Sequence, residues 1–359
     1  MATQVDAAWT DRFVDDEDGR FDVSEHLLQF RGFLPIPIIV TEPAVGYGLG
    51  AALVWFSESL AEAREKSTAR GERYAPPNIG ALAGFKTENG SQGVGGGYFG
   101  SVAGDRFRFL AGAARVDLNL DYYGYLDEPR RFALNADGLM AQGIARLGGS
   151  DWFAGARYIY VGTEARFERE RPPLVPRSDL QSDIGRLSLL IDYDSRDNIL
   201  TPARGSYVEI DIGAARPGLG SSASFENANA RGYHYAPLGD RAVLGLRADG
   251  KFTRGDVPFY ALPFIVLRGV PAVRYQGERV LVAEAELRYN VTPRWTVVGF
   301  GGAGKAYGRE PFADARTVGA GGVGFRYLIA RKLGLYAGLD VARGPEETAV
   351  YIQVGSAWF

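Results

Sequence analysis

Residues 279–290, RVLVAEAELRYN, carry two chemically different faces at a period of two. Leu281, Ala283, Ala285, Leu287 and Tyr289 fall on one side of an extended strand, and Glu284, Glu286 and Arg288 on the other. Successive side chains of a strand point to opposite faces, so the pattern predicts a strand with one apolar and one charged surface. The alternation returns elsewhere. In 240–253, Ala242, Leu244, Leu246, Ala248 and Phe252 alternate with Arg241, Arg247, Asp249, Lys251 and Thr253. In 205–213, Val208, Ile210 and Ile212 alternate with Tyr207, Glu209 and Asp211; in 186–194, Leu187, Leu189, Ile191 and Tyr193 alternate with Arg186, Ser188, Asp192 and Asp194. A soluble two-layer sandwich would also alternate. Mixed Arg, Asp and Glu on the polar face suit a barrel lumen better, with the apolar face turned to lipid.

Strand-like runs fall near 44–56, 77–87, 91–103, 106–120, 130–146, 151–166, 181–194, 205–215, 222–236, 240–253, 279–290, 294–306, 315–328, 332–343 and 348–359. Turn residues separate them, including Glu88-Asn89-Gly90, Gly104-Asp105, Gly148-Gly149 and Gly239-Asp240. Bacterial barrels have an even number of strands. Counting 34–40 (LPIPIIV) as a short first strand gives sixteen, the favoured reading; merging one run gives fourteen. Pro35 and Pro37 suit an edge, where a missing donor costs least. The longest connections are 57–76, 167–180 and 254–278, the last carrying Pro258, Pro263 and Pro271. The expected fold is all-β: a closed antiparallel transmembrane barrel over 34–359, preceded by an acidic extension, 1–33, on the periplasmic side or inserted as a plug. Within the extension SEHLLQF, 24–30, reads as a short helix with Ser24 as N-cap.

Composition narrows the function classes. The 359 residues include no Cys, which removes disulfide scaffolds and zinc–thiolate sites. A net charge of −3 argues against nucleic acid as a partner. No run of 18 apolar residues exists, so the membrane reading rests on strands; a closed barrel also satisfies every backbone group in lipid. The start, MATQVDAAWTDRF, lacks a basic n-region and an apolar h-region, so the chain is expected to be a mature or recombinant form. Trp152, Tyr289, Trp295, Tyr351 and Trp358 suit aromatic girdles at the barrel rims. The Gly-rich runs 93–97, 301–304 and 319–324 lack a Lys-Ser/Thr partner and read as close backbone approach, with no phosphate loop. Two histidines, His26 and His234, and no Gly-x-Ser-x-Gly elbow argue against an enzyme.

Several motifs, in order, resemble the BamA/TamA superfamily of outer-membrane assembly barrels. Residues 194–208, DSRDNILTPARGSYV, resemble its Asp-x-Arg-Asn-Pro-x-x-Pro-x-Arg-Gly turn through Arg196, Asp197, Asn198, Pro202, Arg204 and Gly205. Leu267-Arg268-Gly269-Val270 resembles the Arg-Gly-aromatic tip of the long sixth extracellular loop, which in the family folds back into the lumen; Val270 departs from the aromatic. Phe300-Gly301-Gly302-Ala303-Gly304 resembles the Phe-x-Asp-x-Gly strand, with Gly302 where the family has the aspartate that meets the loop arginine. The end, through Gly355, Trp358 and Phe359, resembles the signal read by the barrel assembly machinery. The resemblance covers 33–359 and implies the outer membrane of a Gram-negative bacterium, with lipid and lipopolysaccharide around the barrel. Only some 33 residues precede the barrel, too few for one POTRA repeat, so a barrel-only relative is expected.

The resemblance makes Arg268 the leading functional residue. A guanidinium folded into a lumen needs an acceptor; with Gly302 in place of the aspartate, Glu284 and Glu286 are the expected partners in a loop-locking contact. Val14–Glu25 has a partial calcium-loop register, Asp16, Asp18, Gly19 and Glu25 at positions 3, 5, 6 and 12, but Val14 at position 1 supplies no carboxylate. A solvated acidic turn is the better reading, and no cofactor is expected. The function implied is a non-enzymatic one in outer-membrane protein or lipid assembly or translocation, acting through a weak seam between first and last strands. The alternative is an occluded small-solute channel or a structural surface protein.

Overall fold

The structure, a computed structural model, describes residues 13–69, 77–124, 129–173, 175–308 and 317–358. One antiparallel sheet of sixteen strands follows chain order, each strand laddered to its sequence neighbours, and curls into a nearly closed barrel. The strands are β1 (Gly32–Val40), β2 (Gly48–Phe56), β3 (Ile79–Thr87), β4 (Gln92–Val102), β5 (Phe107–Tyr122), β6 (Arg130–Arg146), β7 (Trp152–Phe167) and β8 (Gln181–Asp194). They continue as β9 (Gly205–Ala215), β10 (Phe225–Leu238), β11 (Ala242–Gly255), β12 (Arg279–Asn290), β13 (Trp295–Tyr307), β14 (Thr317–Ala330), β15 (Leu335–Arg343) and β16 (Thr348–Val354). The short first strand is therefore present, and the count is sixteen. Odd-numbered strands run from the terminal end, where the chain enters β1 and leaves β16, toward the loop end, where 168–180 and 256–278 lie.

Polarity is inverted relative to a soluble protein. Along β12 burial alternates residue by residue: Val280, Val282, Glu284, Glu286 and Arg288 are buried, while Leu281, Leu287 and Tyr289 face outward. The outer wall exposes Leu49, Leu189 and Val323 at 71%, 70% and 67%. Charged groups inside and bare aliphatic groups outside are stable only if hydrocarbon covers the wall. Trp152, Tyr289 and Trp295 lie on that wall near the terminal end, Trp152 tilted against Tyr193 and Trp295 edge-on to Tyr327, each pair at 4.9 Å.

Two girdle assignments are corrected: Tyr351 and Trp358 point into the lumen, where the Tyr351 hydroxyl accepts from Gly269 N at 2.9 Å and Trp358 is 8% exposed. The last strand is also shorter than expected. Gly355, at φ +80°, turns the chain out of β16 after Val354, and Gly355 N donates to Tyr336 O and Ser356 N to Leu200 O, each at 2.7 Å. A left-handed backbone suits glycine and ends the ladder.

The helix α1 (Ser24–Gln29) begins one position earlier than a Ser24 cap requires: Val23 is its N-cap, and Asp22 Oδ1 accepts from Ser24 N at 2.6 Å. Asp22 serves because its oxygen reaches the freed amide two residues on, leaving Ser24 Oγ to accept from Lys332 N at 3.0 Å. The segment before α1 is pinned to the terminal-end turns of β12–β13 and β14–β15. Arg294, 1% exposed, meets Asp15 at 3.0 Å, Asp18 at 2.6 Å and Asp22 at 2.5 Å. Arg331 pairs with Asp15 at 2.7 Å and Glu17 at 2.8 Å, and Val23 N donates to Ile329 O at 2.7 Å. From there the chain runs through α1 into β1, at Gly32. Among the described residues no ladder joins β1 to β16. The acidic segment is thus a strap across the foot of that seam.

Candidate functional site

The connection 256–278 leaves β11 and enters the lumen as a hairpin: Ile265 N donates to Tyr275 O and Gly277 N to Pro263 O, each at 3.0 Å. Its tip turns at Leu267–Val270, where Val270 N donates to Leu267 O at 3.1 Å and Gly269 takes φ +90°. The turn directs Arg268 against the wall. Its Nε and Nη2 donate to Glu284 Oε1 at 3.0 and 2.6 Å, Nη2 lies 2.8 Å from Glu286 Oε2, and Nη1 donates to Asp340 Oδ2 at 2.7 Å. The guanidinium carbon stands 3.5 Å over the Phe300 ring. A planar, permanently charged fork suits three carboxylates and an aromatic face at once, which an ammonium cannot match.

Sequence reasoning named Glu284, Glu286 and Phe300 but missed Asp340. Asp340, fully buried on β15, also takes both terminal nitrogens of Arg326, at 2.6 and 2.8 Å. The signal was legible: Asp340 is the lone acid in the apolar run 335–342, and its parity places it opposite Leu339 and Val341. Gly302 has a steric reason. A Cβ there would lie 2.7 Å from Ala283 O and 2.9 Å from Leu267 Cδ2. The bare backbone lets the loop press against β13, and Ile265, Leu267 and Val270 pack there with Val280, Val282, Ala306 and Val318.

Other contacts seat the rest of the loop. Ala272 N donates to Glu42 Oε1 at 2.9 Å, Phe259 N to Asp179 Oδ2 at 3.0 Å, and Arg274 pairs with Glu346 at 3.4 Å. Phe259 packs among Tyr122, Phe132 and Phe167, with ring centroids 5.1–5.7 Å apart.

The terminal end is covered too. The β8–β9 turn, 195–204, reaches toward the far wall: Asn198 Nδ2 donates to Leu333 O at 2.8 Å, and Arg288 Nη2 to Pro202 O. Asp197 Oδ1 accepts from Ala203 N at 3.0 Å and Arg204 N at 3.2 Å, holding the turn; Arg196 chelates Asp194 at 2.8 and 2.9 Å. Above it the C-terminal tail enters the lumen. Trp358 Nε1 donates to Glu284 Oε2 at 3.0 Å, Tyr233 Oη donates to Trp358 O at 3.1 Å, and the indole stacks near Tyr233 and Tyr235. Glu284 therefore joins the loop tip to the tail; Phe359 lies outside the described residues.

The remaining candidates are dispersed. Both Asp18 oxygens accept from Arg294, Glu25 lies on Lys332, and no group of three potential metal ligands occurs among the described residues, so Asp16, Asp18 and Glu25 are not brought together. His26 packs between Phe13 and Phe30, both at 5.5 Å. His234 Nδ1 lies 2.8 Å from Ser206 Oγ on the exposed wall, a pairing that spacing did not reveal. Among the described residues no carboxylate is hydrogen-bonded to it as the orienting third group of a nucleophilic triad.

The long loop, the cross-lumen turn and the tail enter the lumen from both ends, and among the described residues the β1–β16 seam is left unladdered. Fold and motifs agree with the comparisons. The chain is similar in structure to BamA from Haemophilus ducreyi lacking POTRA domains 1–3, at a TM-score of 0.61 and 13% identity over 90% of this chain and 70% of that one. It is similar to CdiB from Escherichia coli at a TM-score of 0.61 and 9% identity, over 89% and 61%, and to CdiB from Acinetobacter baumannii at 0.58 and 11%, over 90% and 59%. This chain thus spans about 60% of either CdiB chain. No curated protein matches its sequence. The Omp85 superfamily domain matches residues 46–264, from the loop after β1 to the descending arm of the locked loop, and the chain belongs to the Omp85 superfamily.

Proposed function

We propose that this barrel works without enzymatic chemistry in the assembly or translocation of proteins or lipids at a Gram-negative outer membrane, with the β1–β16 seam as its working part. One observation carries the reading: loop and tail obstruct the lumen from both ends, while among the described residues the wall is left unladdered between β1 and β16. A solute channel would need the reverse, an open lumen in a continuous wall. The seam edge is unusual. Proline has no N–H, so the unbroken β1–β2 register turns Pro35 and Pro37 away from β2 and toward the seam. A strand laid against β1 would miss two donors in succession, which favours cargo that passes the seam without being laddered to β1.

Depleting the protein in its host tests this reading. Outer-membrane protein or lipopolysaccharide levels should fall, and the purified barrel should be silent in planar bilayers. Unchanged envelope composition together with steady, large openings would contradict it.

A further inference from the structure

We propose that the lumen contains a binding chamber for a phosphorylated sugar, whether or not the seam passes cargo. A cavity of about 690 Å³ lies between the luminal faces of β7–β11 and the underside of the locked loop, residues 260–264 forming its roof and Tyr233 and Trp358 its floor. That volume suits a small polar ligand.

Charge sets the first requirement. Arg157, Arg186, Arg231, Arg247 and Lys251 line the chamber against three carboxylates, Glu209, Asp211 and Asp249, an excess of two positive charges. The carboxylates are already shared. Glu209 meets Arg157 at 3.2 Å and Arg231 at 2.6 Å, and Asp211 meets Arg157 at 2.9 Å and Arg186 at 3.6 Å. Asp249 is taken by Arg247. Among the described residues Lys251 has no carboxylate within 4.0 Å; its ammonium stands 5.3 Å from the Phe264 ring. Asp249, which attracts this half-buried ammonium electrostatically, is already held by Arg247, so the site favours a further anion.

Two oxygens set the second requirement. Asn227 Oδ1 and Asp249 Oδ1 accept no hydrogen bond, although their residues are 5% and 8% exposed. The Asn227 amide is oriented, because its Nδ2 donates to Asp211 Oδ1 at 3.0 Å. Both oxygens are closed off from the cavity as it stands, so a ligand whose hydroxyl groups supply the missing donors must shift the lining to reach them. Ile184, Leu262, Phe264 and Trp358 add apolar surface to the lining, matching the C–H faces of a sugar ring. Water would leave the positive excess of the lining unanswered; inorganic phosphate would answer it and leave most of the volume empty. A sugar phosphate meets every requirement. The same chemistry occurs free in solution and in the phosphorylated disaccharide headgroup of lipid A.

Calorimetric titration of the full chain in detergent separates these sources, with glucose 6-phosphate as the soluble probe and dispersed lipid A as the acylated one. Glucose and inorganic phosphate are the controls. Saturable binding of either probe, at least tenfold tighter than either control and weakened at least tenfold by Lys251→Met, is the expected result, and the probe that binds identifies the source. Each variant is first checked for heat-modifiable migration; should Lys251→Met fail it, Arg186→Gln is read by the same criterion. The proposal is overturned if neither probe binds, if glucose or inorganic phosphate binds as well, or if a folded variant binds like the parent.

Discussion

Replacing Arg268 with alanine is expected to free the long loop from the lumen and to lower the unfolding free energy by about 3–5 kcal/mol, the range for breaking a buried ion pair by removing one partner. The reason is what remains. Glu284, Glu286 and Asp340, with side chains 2%, 9% and 0% exposed, would lose a shared cation at 2.6–2.8 Å. Arg326 and Arg247 still hold Asp340 and Glu284, so the damage concentrates on the loop side of the network. Urea unfolding followed by loss of heat-modifiable migration gives the stability change. Protease added to the loop end should cut 256–278 only in the variant. Arg268→Lys keeps the charge but cannot meet three carboxylates in one plane, so it should fall between the two. An Arg268→Ala protein with the parent's midpoint and an uncut loop would show that the tip is held elsewhere.

Arg294→Ala should release the acidic strap at neutral pH, and acid should do the same to the parent. Asp15 is held well below the usual carboxylate range chiefly by its hydrogen bond from Arg331, and Asp18 is lowered chiefly by its hydrogen bond from Arg294. A carboxyl whose value is depressed in the docked state contributes in full above its free value, about pH 4, and less and less as the pH falls from there through the docked value. The strap should therefore stay docked from pH 7 to about pH 5 and loosen progressively below about pH 4. Hydrogen-exchange protection at Val23 reports this directly, since its amide donates to Ile329 O of the barrel, while Asp15 and Asp22, whose amides donate to Arg20 O and Phe13 O, report the segment's own turn. Protection lost in Arg294→Ala at pH 7, and in the parent only in acid, is expected. Protection unchanged in both would mean that the segment is held by its aromatic contacts, such as Phe13 on Phe21 and His26.

Much of the wall was legible because a barrel strand writes its environment into alternate residues. Glu284, Glu286 and Arg288 against Leu281 and Leu287 fix which face is luminal, whatever the neighbours are. The locked loop was legible for a different reason: Leu267-Arg268-Gly269 resembles the Arg-Gly loop tip of the BamA/TamA superfamily, and a luminal arginine demands acids. Asp340 escaped because pairing across a lumen depends on barrel closure, which brings β15 opposite the loop over 72 positions of sequence. Trp358 and Tyr351 were misplaced on the same ground. Aromatic residues suit both a lipid rim and a polar lumen, since ring and hydrogen-bonding group serve either; the inward turn at Gly355 is a backbone event that composition does not announce. The strap was half legible: its acids were plain, but Arg294 and Arg331 lie in turns more than 250 residues away.

A membrane barrel requires Leu281, Leu287 and their equivalents to face hydrocarbon. The chain has no native cysteine, so single spin labels can be placed along β12 without background. In liposomes, labels at 281, 283, 285 and 287 should collide with oxygen dissolved in the bilayer and be shielded from a water-soluble nickel complex, while a label at 282 should be shielded from bilayer oxygen, a period of two through the strand. Labels at 281 and 287 that meet the nickel complex as freely as a loop position, or that are shielded from both reagents, would contradict it.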